Sequence, residues 1–313
     1  MGDSLAKIVG AVLLGAVMAG FPAPAAAGAA ACAENEPALQ VLGSGGPVAD
    51  DGRASSGYLL WADGRARVLI DAGGGIFLRF GEAGATLDEL DLIAITHLHT
   101  DHVADLPALL KGAYFSDRER ILAISGPDGA GRFPGIEPFL NRLFDAQGGA
   151  FGYLAGLLDG SEGMFGLQAK TVAHASDSPV TVRDRDGLRI EAIGVHHGPV
   201  PTLAYRLSAA GRRIVVSGDQ NLDSPGFLEF TRDADLLVMP FPIPESAGKA
   251  AATLHARPSK IAGLATGARV RHLVLSHFMA RSLKDRDVGV ARVRADYKGR
   301  LTLARDLQCI PLP

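Results

Sequence analysis

Short apolar, β-branched runs recur along the chain, separated by glycine- and proline-rich turns. Leu39–Leu42, Leu90–Ile95, Leu236–Pro240 and His272–Ser276 read as buried strands. Ser56–Trp61 and Ala66–Ile70 read as a hairpin around Ala62–Arg65, and Ala204–Leu207 with Arg213–Ser217 as another. Val180–Val182 and Leu188–Ile193 flank a third turn, Arg183–Gly187. The pattern turns helical at Ile76–Phe80, from Val103 to Lys111 and at Ser259–Thr266. Strands interleaved with helices in this way predict an α/β fold. From Gly126 to about Thr171 the pattern weakens. This stretch (about 126–171) reads as an insertion with short helices at Phe139–Phe144 and Phe151–Leu158, covering a site or making a partner surface. The remainder of 36–313 reads as one domain.

The strands end alike. Asp71 follows Ala66–Ile70, His97 follows Leu90–Ile95, and His196 and His197 follow Leu188–Ile193. Asp219 follows Arg213–Ser217, and His277 follows His272–Ser276. Nothing in strand formation calls for histidine or aspartate at end after end, unless the ends converge. The densest ending is Thr96-His97-Leu98-His99-Thr100-Asp101-His102. Alternate side chains of an extended segment point the same way. His97 and His99 therefore face one metal together, and Asp101 and His102, past the turn, face a second. Imidazole with carboxylate suits zinc, and also iron or manganese. Asp71 is expected to orient this loop rather than to bind metal. Adjacent strand residues point to opposite sides, so one of His196 and His197 is a ligand. His197, directly before the Gly198-Pro199 turn, is the one expected, with His196 lining the pocket or supporting it. The loop Gly43–Pro47 lacks GxGxxG spacing and a following helix, and reads as backbone passing close to the metal site. His174 and His272 read as ordinary structural or surface histidines.

The 313 residues are 47% apolar, enough for a sizeable core, and carry a formal net charge of −3. No global basic field calls for nucleic acid or an anionic membrane. The expected partner is therefore a small-molecule substrate, not nucleic acid, with a homodimer allowed for. Lys7, the apolar run Ile8–Phe21 and the small residues Ala23–Ala31 have the order of a secretory leader over 1–31, cleaved between Ala25 and Ala31. The run is too short and too rich in glycine and alanine for a transmembrane helix. The mature protein is expected to be periplasmic or secreted, without stable membrane insertion. A lipid anchor at Cys32 is the lesser alternative, since Ala29-Ala30-Ala31-Cys32 has Ala where a lipoprotein box usually has Leu. The two cysteines, Cys32 and Cys309, stand at the two ends of the mature chain. Export favours disulfides and domain termini often meet, so a Cys32–Cys309 bond is expected over two free thiols.

The HxHxDH pattern of His97–His102, the later His197, Asp219 in Ser217-Gly218-Asp219 and His277 in Leu275-Ser276-His277-Phe278 together resemble the metallo-β-lactamase superfamily over nearly the whole mature chain. The resemblance implies an αββα sandwich, two mixed β-sheets face to face with helices on the outer faces. It implies one metal on His97, His99 and His197, and another on Asp101, His102 and His277, with Asp219 and a water or hydroxide between them. Two zinc ions are implied, with iron or manganese as substitutes. Asp101–Leu110, His197–Arg206 and Leu254-His255-Ala256-Arg257-Pro258 are similar to the ribonuclease Z and arylsulfatase-like branch, although Arg257 stands where Ser or Thr is expected. That likeness implies hydrolysis of an ester (phosphodiester, sulfate ester or lactone), with Asp101 orienting the hydroxide and His255 protonating the leaving group. The 126–171 stretch does not resemble the glycine- and proline-rich arm that grips tRNA. Two rivals share the fold. A periplasmic metallo-β-lactamase is set against by Asp219 and the His255 motif. An iron-dependent oxidoreductase usually has Glu at the position of His99. A third rival is a non-catalytic metal-binding module, disfavoured because every ligand position is filled.

Overall fold

Val68 and Ile70 point to one side of their strand and Leu69 to the other, yet all three are fully buried. A strand covered on both faces needs a layer on each side, and the computed structural model of the chain supplies both. It describes residue 32 and residues 37–312, the side chain of residue 113 excepted. The expected leader, 1–31, lies outside the described residues. The first strands are β1 (Ala38–Gly43), β2 (Gly57–Ala62), β3 (Arg65–Ile70), β4 (Leu92–Ala94), β5 (Leu122–Pro127) and β6 (Leu167–Val172). After them come β7 (Val180–Arg185), β8 (Leu188–His197), β9 (Val200–Ala209), β10 (Arg212–Val216), β11 (Leu236–Pro240), β12 (His272–Ser276), β13 (Arg300–Leu303) and β14 (Gln308–Pro311). They form two seven-stranded sheets, β14-β1-β2-β3-β4-β5-β6 and β13-β12-β11-β10-β9-β8-β7. In each sheet an antiparallel half runs into a parallel half, joined through β3 in the first and β10 in the second.

The inward residues Leu39, Leu60, Val68 and Ile70 meet Ile190, Leu203, Tyr205 and Ile214 from the facing sheet. The outward residues Leu59, Trp61, Leu69 and Ile93 take helices Ile76–Glu82, Leu106–Ala113 and Ile136–Phe144. Phe227, Phe230, Ile261 and Val293 place helices over the second sheet. This is the expected αββα sandwich. The parallel strands all present their carboxyl ends at one edge, where α/β folds bind ligands.

Most of the 126–171 stretch packs into the outer layer of the first sheet, while its Phe133 stands against the His99 ring. The stretch forms the crossover from β5 to the edge strand β6, through the helix Ile136–Phe144 and short helical turns. Its Ile136, Leu140, Phe144, Leu154, Leu157 and Phe165 belong to the outer core of the first sheet. Proline and glycine hid the pattern because the helical pieces of this crossover are short and broken. β7 likewise runs on to Arg185 through charged residues, which an edge strand tolerates.

Cys32 and Cys309 form the expected disulfide, with Cα atoms 5.4 Å apart. Because Cys309 lies in β14, paired with β1, the bond ties the chain's start to the edge of the first sheet.

Arg67 is the bulkiest fully buried side chain. Its Nε donates to Asp91 at 2.7 Å, and its Nη1 to Asp63 at 2.8 Å and to the Asp186 carbonyl at 2.9 Å. Asp186 lies in the β7–β8 turn of the other sheet, so this one guanidinium staples the two sheets together. Burial alone would raise the Asp91 carboxyl, but hydrogen bonds from Arg67 and Arg120 outweigh it and hold the carboxyl below its ordinary range.

His272, at the start of β12, is buried beside Thr302 Oγ1 at 2.9 Å. Burial, with help from the Arg300 charge, pushes it down to about 4. The unfolded chain therefore takes up this proton first as pH falls. Its contribution to stability is complete above the ordinary value of 6.5 and is lost between there and about 4. Urea midpoints across that window are expected to fall more gently in His272→Gln than in the unaltered protein; parallel slopes would contradict this.

Candidate metal centre

Asp71, the first residue past β3, has φ 60°. This left-handed conformation is uncommon for any residue but glycine and is retained where the surroundings enforce it. It turns the carboxylate onto the histidine loop. Oδ1 accepts the Thr96 N–H at 2.7 Å, and Oδ2 accepts the Thr96 hydroxyl and the His102 Nδ1–H, each at 2.8 Å. With its hydroxyl proton committed to Asp71, Thr96 Oγ1 accepts from His97 Nδ1–H at 3.1 Å. Across the site, His197 Nδ1–H donates to the Leu254 carbonyl at 2.8 Å. So His97, His102 and His197 each have Nδ1 occupied and Nε2 turned inward. This is the outer-shell arrangement that fixes metal-ligating imidazoles.

The inward nitrogens converge. His97 Nε2 is 3.1 Å from His99 Nδ1, and His102 Nε2 is 3.3 Å from His277 Nε2. His277 Nε2 is 3.2 Å from Asp101 Oδ2 and 3.3 Å from Asp219 Oδ2. The same Asp219 oxygen lies 3.8 Å from His102 Nε2, 3.8 Å from His197 Nε2 and 3.9 Å from His255 Nδ1. Donor atoms lie within 4.8 Å of one another in four sets: His97/His99/His197, His97/His102/Asp219, Asp101/His102/His277 and His197/Asp219/His255. Buried His197 Nε2, Asp219 Oδ1, His255 Nδ1 and His277 Nδ1 have no hydrogen-bond partner among the described residues. Leaving buried polar atoms unpaired is costly, and lone pairs facing lone pairs add to the cost. Cations seated among these donors relieve both, so the donor set fits divalent metal.

Protonation follows the same geometry. Burial would raise Asp219, but the His277, His102, His255 and His197 rings overcome it and hold the carboxyl well below its usual range. His97 is pushed well below its ordinary value by burial and by neighbouring His102. Burial also lowers His99. It opposes a proton on His102 as well, but Asp71, Asp219 and Asp101 prevail and raise that ring to about 10. Metal must displace such a proton, so binding will release protons and tighten as pH rises.

Two glycines make room. A Cβ on Gly46 would stand 2.9 Å from His277 Cε1, so the β1–β2 loop passes against the site as expected. A Cβ on Gly73 would stand 2.0 Å from the Asp101 carbonyl, which only glycine permits.

The structure thus brings His97, His99, Asp101, His102, His197, Asp219, His277 and His255 to one cleft, with Asp71 behind them. It does not bring His196. At the end of β8 the pleat turns His197 inward and His196 out to solvent. His196 therefore does not support the centre; its backbone bonds to Ser224 and Asn221 instead. Sequence reading missed Thr96, whose hydroxyl links Asp71 to His97, although it stands in the motif next to His97. It also missed the Leu254 carbonyl, for which a sequence has no signature. Asp71→Ala should weaken metal affinity and activity about 10- to 100-fold, the usual effect of removing an outer-shell partner. Chelator competition measures the first, and an unchanged affinity would contradict the role.

The β-lactamase superfamily domain matches residues 66–278, more than half of the chain. A ribonuclease Z of Haloferax volcanii is 30% identical over 310 residues, covering 87% of this chain and 94% of that one. Among solved structures, the metallo-β-lactamase fold protein YhfI of Bacillus subtilis superposes with TM-score 0.67 at 20% identity, over 87% of this chain and 97% of that one. The short form of human tRNase Z superposes with TM-score 0.66 at 22% identity, over 88% and 99%. These findings overturn the expectation of a small-molecule substrate without nucleic acid, because the relatives are named as ribonucleases. The net charge misled because phosphate recognition at a metal centre depends on local cations, not on a global field. Family and branch now agree with the fold and the donor set: the chain belongs to the β-lactamase superfamily, on its ribonuclease Z branch, and is a metal-dependent hydrolase of the metallo-β-lactamase fold.

Proposed function

We propose that the chain is a phosphodiesterase with a binuclear metal centre, and that RNA is among its substrates. The observation that carries this is Asp219 Oδ2, set between two ligand groups and near His102, His197 and His277 at 3.3 to 3.8 Å. His97, His99 and His197 would hold one ion and Asp101, His102 and His277 the other, with Asp219 shared. Two divalent ions held there would supply a water with its pKa lowered to about 7 and positive charge for the attacking and leaving oxygens of a displacement. In the free protein the His277 and His102 rings hold the Asp101 carboxyl below its ordinary range against the effect of burial, and in the loaded centre Asp101 would present a carboxylate that accepts the attacking water's proton and orients it. His255 is buried between the His197 and His277 rings, at 5.1 and 5.8 Å. Burial pushes it down to about 3, so it is neutral in the free protein at pH 7. An arriving phosphodiester anion opposes that shift and favours the protonated ring, which is then placed to give the leaving oxygen its proton. The ribonuclease names of the relatives support phosphodiester over sulfate ester or lactone. The Cys32–Cys309 bond and the leader-like N-terminus support an exported protein.

Protein loaded with zinc or manganese should hydrolyse bis-p-nitrophenyl phosphate and a short single-stranded RNA, but not nitrocefin or p-nitrophenyl sulfate. Nitrocefin turnover without phosphodiester turnover would instead make it a β-lactamase.

A further inference from the structure

The loop between β5 and the helix Ile136–Phe144 reaches the metal centre. Its tip is closed by reciprocal hydrogen bonds, Ala130 N–H to the Phe133 carbonyl at 3.1 Å and Phe133 N–H to the Ala130 carbonyl at 3.0 Å. Its neck is pinned where Gly129 and Gly135 meet: a Cβ on Gly129 would stand 2.8 Å from Gly135 N. The tip is therefore a held presentation, not a loose excursion. It sets the Phe133 ring 6.0 Å from the His99 ring at 64°. Beside it opens a cavity of about 560 Å³ lined by Ala130, Gly131, Arg132, Phe133 and Pro199. Pro199 follows His197 by two residues and Phe133 packs against His99, so the cavity opens beside the metal cleft. Arg132 is exposed on the cavity wall and makes no ion pair or hydrogen bond among the described residues. Core packing does not account for this combination. Phe133 is only partly buried and belongs to neither hydrophobic core.

We infer that Phe133 and Arg132 form a nucleotide subsite beside the metal centre. Phe133 stacks on the base next to the scissile phosphate, and Arg132 pairs with the following phosphate. An aromatic face with a neighbouring free guanidinium is the arrangement by which single-stranded nucleic acid is held without regard to sequence, and the guanidinium supplies the charge a second phosphate needs. The subsite gives the metal centre a preference for nucleotide esters over simple ones, and it rests on the phosphodiesterase reading.

Two substrates with one leaving group separate the possibilities: thymidine 5′-(p-nitrophenyl phosphate), which carries a base, and methyl p-nitrophenyl phosphate, which does not. Phe133→Ala should raise KM for the thymidine ester about 10-fold, within the range of one lost base stack, with kcat unchanged and the methyl ester unaffected. Phe133→Trp should restore the KM. Calorimetric affinity for thymidine 5′-monophosphate should fall with Phe133→Ala by the same factor. A 3′-phosphate added to the thymidine ester should lower KM in the unaltered protein and not in Arg132→Gln. A KM rise shared equally by both esters, or absent from both, would overturn the subsite while leaving the phosphodiesterase intact. Failure of the unaltered protein to cleave either ester would overturn the phosphodiesterase reading and the subsite with it.

Discussion

Asp219→Ala is expected to leave the αββα sandwich folded, to lose bound metal, and to lower phosphodiester turnover by at least about 10²- to 10³-fold, the scale on which one preorganised charged group acts. The expectation rests on position. Asp219 Oδ2 stands 3.3 Å from His277 and 3.8 Å from both His102 and His197, rings that come from three different strand ends. Its other oxygen, Oδ1, has no hydrogen-bond partner among the described residues. In the proposed centre, removing the carboxylate would take away the shared donor and the negative charge that balances the bound cations. Asp219→Asn separates the two effects, since it keeps the shape and an oxygen but not the charge. It should retain the fold and still lose most of the metal. Circular dichroism, metal content and turnover on the same preparation check this. An Asp219→Ala protein with full metal and full turnover would remove Asp219 from the centre.

Asp91→Ala is expected to destabilise the fold by about 3–5 kcal/mol, the cost of breaking a buried ion pair from one side. Arg67 is 1% exposed, and its Nε and Nη2 both lie 2.7 Å from Asp91 Oδ2. Asp63 and the Asp186 carbonyl engage only Nη1. Without Asp91 the buried charge keeps only its two bonds at Nη1, and the link between β3 and the β7–β8 turn weakens. Arg120 and Arg183, also drawn to Asp91, lose their counter-ion as well. Replacing both partners by apolar residues avoids the orphaned charge, so Arg67→Met with Asp91→Leu should cost less than Asp91→Ala alone. Urea denaturation of the three proteins decides it. A single substitution costing under about 1 kcal/mol would place this pair with ordinary surface ion pairs.

The sandwich and most of the cleft were legible because strand ends carry their chemistry in order. Asp71, His97, His197, Asp219 and His277 each stand at or just past an apolar run, and the fold gathers those ends at one edge. The His196/His197 ambiguity was a matter of parity: only the pleat of β8 shows which ring faces in. Three features were not legible. Arg67 looked like an ordinary charge at a strand start, since a sequence does not show that Asp91 and the Asp186 carbonyl meet it from distant segments. The β5–β6 crossover looked like an insertion because its apolar residues are spaced by prolines and glycines that break the helical period. The approach of Phe133 to His99 depends on the two hydrogen bonds that close the loop tip. The nucleic-acid expectation failed for another reason: a net charge of −3 averages over the whole surface and is silent about one arginine beside a metal cleft.

Metal content per chain, measured on protein purified without chelator and alongside bis-p-nitrophenyl phosphate hydrolysis, tests the central claim most directly. The account predicts about two divalent ions per chain with phosphodiester turnover, both lost together on chelation and restored together on reloading. A single ion per chain, or two ions without phosphodiester hydrolysis, would contradict it.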